Sequence, residues 1–172
     1  MDKLHVALTF IFLNFSQITF SATVIHVGLL IDGESSVPSP EMSIIIEGSK
    51  IEAIEAGFIT PDADDEYIDL VGYTVLPGLI DMHVHLGSEY SKNSYQEKIV
   101  FNAGDYAIRA VANAEKTLQA GFTTVRNLGD SDGVTISLRN AIQKGIVSGP
   151  RIFSSGKTIA SSGGHGDPTN SL

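Results

Sequence analysis

Apolar residues along this chain follow two rhythms, and the change between them falls at Pro77-Gly78. Before that point the pattern is short and β-like. Val24 to Leu30 is apolar and β-branched, and Asp32-Gly33 turns it. Pro38 and Pro40 mark a loop. Met42 to Glu47 predicts a second strand, closed by Gly48-Ser49. Lys50 to Ile54 alternates polar and apolar as a half-buried strand does, and Gly57 ends it. Asp62 to Glu66 is an acidic, solvated loop, and Tyr67 to Leu70 predicts one more short strand.

After Pro77-Gly78, strands alternate with amphipathic stretches. Leu79 to His85 predicts a strand. Ser94-Tyr95-Gln96-Glu97 has the form of a capping box. Ala103, Ala107, Ala110, Val111, Ala114 and Leu118 then recur at helical spacing, one face of a long helix that Gly121 closes. Phe122 to Val125 predicts a second strand. Ser131 or Asp132 is placed to cap a helix carrying Val134, Leu138, Ala141 and Ile142, stopped by Gly145. Pro150 leads into a third strand, Arg151 to Ser154. Strand, helix, strand, helix, strand is the signature of parallel βαβ units with helices on the outside.

The strand after Pro77-Gly78 carries the candidate chemistry. Side chains two apart on a strand share a face, so Asp81, His83 and His85 are expected together. Two neutral imidazoles at that spacing can reach one cation, and carboxylates complete many such sites. Asp81, one step deeper, is placed to orient a histidine by hydrogen bonding. The plain alternative is a partly exposed strand that carries two histidines. Neutral imidazoles are required for ligation, so metal affinity is expected to fall below about pH 6.

Composition narrows the classes. The 172 residues suit one domain or slightly more, and 42% apolar with 18% charged residues is ordinary for a globular chain. A formal charge of −9 argues against nucleic acid and against anionic membrane surfaces. With no cysteine, any metal must be held by His and carboxylate ligands. Residues 1–22 read as a secretory leader: Lys3, a largely apolar run from Leu4 to Phe15, then a more polar exit ending in Ser21-Ala22. That implies a secreted or periplasmic protein with no membrane contact after leader cleavage. The alternatives are an uncleaved membrane anchor or a buried core segment.

The run Leu76-Pro77-Gly78-Leu79-Ile80-Asp81-Met82-His83-Val84-His85 resembles the first barrel strand of the amidohydrolase superfamily. The likeness continues through Gly121-Phe122-Thr123-Thr124-Val125-Arg126-Asn127-Leu128-Gly129 and Gly149-Pro150-Arg151-Ile152-Phe153-Ser154-Ser155-Gly156, and ends in Gly163-Gly164-His165-Gly166-Asp167. This set is similar to the branch containing imidazolonepropionase-like proteins and Xaa-Pro dipeptidases. The resemblance implies an α/β fold: the first three βα units of a (β/α)8 TIM-type barrel over residues 74–172, preceded over residues 23–73 by part of a small β-sandwich. A full barrel takes about 200 to 250 residues, so the barrel is expected to be incomplete and the chain an N-terminal fragment.

The resemblance also assigns roles. His83 and His85 would hold a divalent metal, zinc first, as one or two ions. His165 and Arg126 would bind substrate, with Asp81 behind the ligands. Arg126 is equally suited to pairing with Asp130 or Asp105 as scaffold, and His165 could belong to a tail without a role. Asn127 stands where related sequences often carry Asp, which weakens a proton-handling role there. No catalytic residue falls within the chain. The bridging carboxylated lysine of strand four, the histidines of strands five and six and the catalytic aspartate of strand eight are expected beyond Leu172, and Lys157 is not that lysine. The implied reaction is hydrolysis of a C–N amide bond of a dipeptide by metal-activated water, with a cyclic amide as the alternative substrate. A short, inactive chain with a binding role is the reading from another class. Homo-oligomerisation of a full-length protein stays open.

Overall fold

The structure, a computed structural model, describes residues 21–130, 132–164 and 166–167. It divides into two compact units at Pro77 and Gly78. The predicted leader lies almost wholly outside the described residues. Among those residues, no helix is long and apolar enough to cross a membrane.

The first unit is built on β-branched, alternating segments. β1 (Thr23–Leu30), β2 (Ser39–Glu47), β3 (Lys50–Ala56) and β4 (Glu66–Val75) form one sheet in the order β3-β2-β1-β4. The β1–β2 and β2–β3 pairs are antiparallel, and β4 joins β1 in parallel. Val27, Leu30 and Ile44 are its buried centre, with Ile25, Met42, Ile46, Leu70 and Val75 packed around them. Two buried polar side chains pin the segment after β3 to the sheet. Ser43 Oγ donates to the Gly57 carbonyl at 2.7 Å and accepts the Ile59 N–H at 3.0 Å. His26 Nε2 donates to the Ile59 carbonyl at 2.9 Å, so its Nδ1 accepts the Tyr67 hydroxyl at 3.1 Å.

The described residues of this unit make one sheet. Two expectations change here. The short strand at Tyr67 to Leu70 is ten residues long, because its pairing with β1 resumes beyond an irregularity between Val27 and Leu29. Gly28 sits at that irregularity, and a Cβ there would collide with the Val71 carbonyl. Pro40 lies within β2, in register with Leu29 near the strand's start, where a missing N–H is tolerated.

In the second unit β5 (Leu79–Val84), β6 (Phe122–Asn127) and β7 (Arg151–Ser154) form a parallel sheet in sequence order. Two helices, α2 (Ala103–Gln119) and α3 (Val134–Gln143), bury one face of it: Ala110 and Ala114 from α2, Val134 and Leu138 from α3, and Val125, Ile152 and Leu86 from the sheet side. This is a mixed α/β unit.

The long helix expected from Ser94 onward is broken. A short helix, α1 (Ser94–Val100), ends at Phe101, whose backbone is extended. Asn102 then restarts the chain as the N-cap of α2. Its side chain accepts the Gly104 and Asp105 N–H groups, and the Asp105 carboxylate accepts the Asn102 N–H. The capping box is therefore Asn102/Asp105. Ser94 instead turns its hydroxyl back to accept the Ser91 N–H at 2.7 Å. α1 buries no residue and is tied to α2 by Arg109, which meets Glu97 at 2.7 Å and lies 4.6 Å over the Phe101 ring. The hydrogen bond from Arg109 holds the Glu97 carboxyl below the usual glutamate range, and the same bond raises Arg109. α3 also starts differently. Its N-cap is Gly133 in the left-handed region, and the Asp130 carboxylate reaches forward to accept the Thr135 N–H at 3.0 Å. Asp132 makes no cap, and Ser131 lies outside the described residues.

Candidate metal centre

His83 is the penultimate residue of β5 and His85 follows its last residue. They flank Val84, which packs against the helix-covered core. Strand alternation therefore puts both imidazoles on the opposite, open face. Both are exposed, with ring centroids 5.4 Å apart and planes at 69°. Asn127 and Ser154 end β6 and β7 at the same level, in register with each other, and Asn127 is in register with Val84. The pair thus stands at the C-terminal edge of a parallel sheet, the edge where open α/β sheets place ligands.

Behind the histidines lies a buried polar network. Asn127 is fully buried. Its Oδ1 accepts the Leu86 N–H at 2.9 Å, and its Nδ2 donates to the Gly129 carbonyl at 3.2 Å and to Thr135 Oγ1 at 3.3 Å. The Thr135 hydroxyl donates to Asp130 Oδ2, so the 2.8 Å contact with Ser154 Oγ is donated by Ser154. Ser154 Oγ in turn accepts the Gly156 N–H at 3.1 Å. Asp130 Oδ1 is buried without a partner among the described residues.

The same network reaches His85. Its Nδ1 lies 3.2 Å from the Gly129 carbonyl oxygen. A carbonyl can only accept, so Nδ1 carries a proton, and in the neutral ring Nε2 keeps its lone pair. That is a ligating form of imidazole.

Two expectations about neighbouring residues need correction. Asp81 does not share a face with the histidines. It is in register with Val125, and a register shift between Asp81 and Val84 interrupts the alternation. Its Oδ1 accepts the backbone N–H of His83 at 2.9 Å, so it shapes the main chain before the site rather than orienting an imidazole. Arg126 pairs with neither Asp130 nor Asp105. Its Nε donates to the Met82 carbonyl at 2.8 Å, filling an acceptor in the interrupted ladder. Arg126 is still exposed, and it alternates with buried Val125 and Asn127. It therefore belongs to the histidine face. His165 lies outside the described residues.

A divalent cation fits the pair in part. Two nitrogen donors on one face, one of them held in a ligating tautomer, suit zinc and similar ions. Among the described residues no group of three or more His, Cys, Asp or Glu side chains is close enough to hold a metal. The pair alone offers two of the four donors that a tetrahedral site takes. Sequence reasoning missed Asn127, Gly129, Asp130 and Thr135 as the support. The only visible signal was a run of polar residues after an apolar strand, which reads equally well as a surface loop.

Residues 74–171 match the model of the amidohydrolase family. A solved Xaa-Pro dipeptidase with bound methionine in its active site is similar at 52% identity and a TM-score of 0.82, over 88% of this chain and 37% of that one. Ochratoxinase of Aspergillus niger is 29% identical over 153 residues, 84% of this chain and 30% of that protein. Dihydroorotase of Mycobacterium leprae is 33% identical over 88 residues, 49% of this chain and 20% of that protein. The chain spans about a third of the length of the dipeptidase and the ochratoxinase. With the family match covering more than half of its residues, this chain belongs to the amidohydrolase family.

Proposed function

We propose that the chain supplies the first two metal ligands, His83 and His85, of a hydrolase that cleaves the C–N bond of an Xaa-Pro dipeptide. The observation that carries this is the His-x-His pair at the C-terminal edge of a parallel sheet, in a chain 52% identical to a solved Xaa-Pro dipeptidase. The three parallel strands with helices over one face are read as the start of a (β/α)8 barrel, whose chemistry sits at that same edge. When bound there, a zinc or similar ion polarises the scissile carbonyl and lowers the pKa of a water towards about 7. The chain's own residues do the positioning. The Gly129 carbonyl holds the proton of the neutral His85 ring on Nδ1, which leaves Nε2 as the ligating nitrogen. Arg126, exposed on the histidine face, is the candidate for a substrate carboxylate through its outer guanidinium nitrogens. His165 is a second substrate-binding candidate, on its sequence alone. With a leader over residues 1–22, the site of action is outside the cytoplasm.

The test is hydrolysis by the purified, zinc- or manganese-loaded hydrolase that contains this chain together with the remaining ligands and the catalytic aspartate. Xaa-Pro dipeptides are expected to be cleaved, and His83→Ala and His85→Ala to lose metal and turnover together. Cleavage of small cyclic amides alone would move the reading to the imidazolonepropionase-like branch. Cleavage of neither substrate class would overturn the hydrolase reading.

A further inference from the structure

We propose that Asn127 is a positioning residue that, through the Gly129 carbonyl, selects the metal-binding tautomer of His85; this rests on the metal reading above. A carbonyl oxygen has two lone pairs. At Gly129 one receives Asn127 Nδ2 at 3.2 Å and the other receives His85 Nδ1 at 3.2 Å. The orientation of the Asn127 amide is fixed by its partners. Its oxygen must face the Leu86 N–H, a pure donor, so its nitrogen must face the Gly129 carbonyl, a pure acceptor. Leu86 follows His85 directly, so one buried amide holds both the main chain after the ligand and the acceptor of the ligand's ring.

Gly129 is built for this. Its φ is +144°, which an L side chain rarely adopts, and a Cβ would collide with the Thr158 side chain. The carbonyl is therefore delivered by a backbone only glycine takes readily, and Asn127 keeps it from turning away. An aspartate at 127 would retain an oxygen for the Leu86 N–H. It would place a second acceptor against the Gly129 carbonyl and lose the donor. In this chain the amide thus serves both bonds, a role independent of proton transfer that the aspartate of related sequences would not fill in the same way.

The experiment has two readouts on the protein. The first is the ring ¹⁵N spectrum of metal-free, histidine-labelled protein above neutral pH. It is expected to show His85 as the Nδ1–H tautomer, and an Nε2–H His85 would overturn the proposal without any variant. The second is zinc affinity by competition with a chelating dye. Asn127→Asp and Asn127→Ala are expected to weaken it about ten-fold or more, as loss of a partner behind a ligand does, and to redistribute the His85 tautomers. Folded variants that keep both the tautomer and the affinity would overturn the proposal. His83→Ala and His85→Ala separate the two levels. If neither weakens zinc binding, the metal reading fails and this inference with it. If both do while Asn127→Asp binds zinc normally, only this inference fails.

Discussion

Replacing Thr135 by valine or by serine separates shape from hydrogen bonding at the base of the site. Thr135 is fully buried, and its hydroxyl serves three neighbours: it donates to Asp130 Oδ2 and accepts from Asn127 Nδ2 and Ser154 Oγ. Valine keeps the volume and removes every one of these bonds. One N–H of Asn127 and the hydroxyl proton of Ser154 are then stranded, at about 1–3 kcal/mol each, giving about 3 kcal/mol in all after partial solvation of half-buried Ser154. Serine keeps the hydroxyl and loses one methyl, at about 1 kcal/mol. Urea denaturation followed at 222 nm measures the difference, because the three described helices all lie in the second unit. At a typical slope, a gap of about 2 kcal/mol separates the midpoints by roughly 1 M. Thr135→Val is expected to be the less stable variant. A valine variant as stable as the serine variant would refute the account of the network as hydrogen-bonded support.

Further predictions concern the frame around the site. Asn102→Ala removes the acceptor for two N–H groups of α2 and is expected to cost about 1 kcal/mol, read as a lower urea midpoint; an unchanged midpoint would mean that the box is not a cap in solution. Gly28→Ala forces β1 away from β4 and is expected to destabilise the first unit by about 3 kcal/mol, measured by amide exchange in β4. The Glu97 carboxyl is lowered by Arg109, so the pair's contribution is full above the ordinary value of 4.5 and is lost as pH falls through the lowered one. Arg109→Met should therefore fall below the unaltered protein at neutral pH and converge with it in acid, and a gap that persists into strong acid would count against the ion pair.

The sequence by itself determined the element order, the parallel βαβ alternation and the His-x-His pair at the end of a strand. Those signals are local. Alternation in Lys50 to Ile54 and helical spacing from Ala103 to Leu118 follow from backbone geometry, and a glycine follows each segment, Gly57 and Gly121. Tertiary structure decided what each polar residue does. Asn127 and Asp130 look like loop residues in the sequence and Thr135 like one more position of a predicted helix, yet they meet beneath the histidines because β6, β7 and α3 converge there. Arg126 reads in the sequence equally as a substrate-carboxylate binder or an ion-pair partner, and the fold gives its Nε a carbonyl that the β5–β6 irregularity leaves open. Asp81 leaves the histidine face for the same reason: one extra residue in a strand reverses every face beyond it. The helix break at Phe101–Asn102 goes with the Asn102 and Asp105 side chains, which take the N–H groups at the start of α2. Periodicity shows where a face can be buried, whereas the partner of a buried donor or acceptor comes from segments distant in the chain.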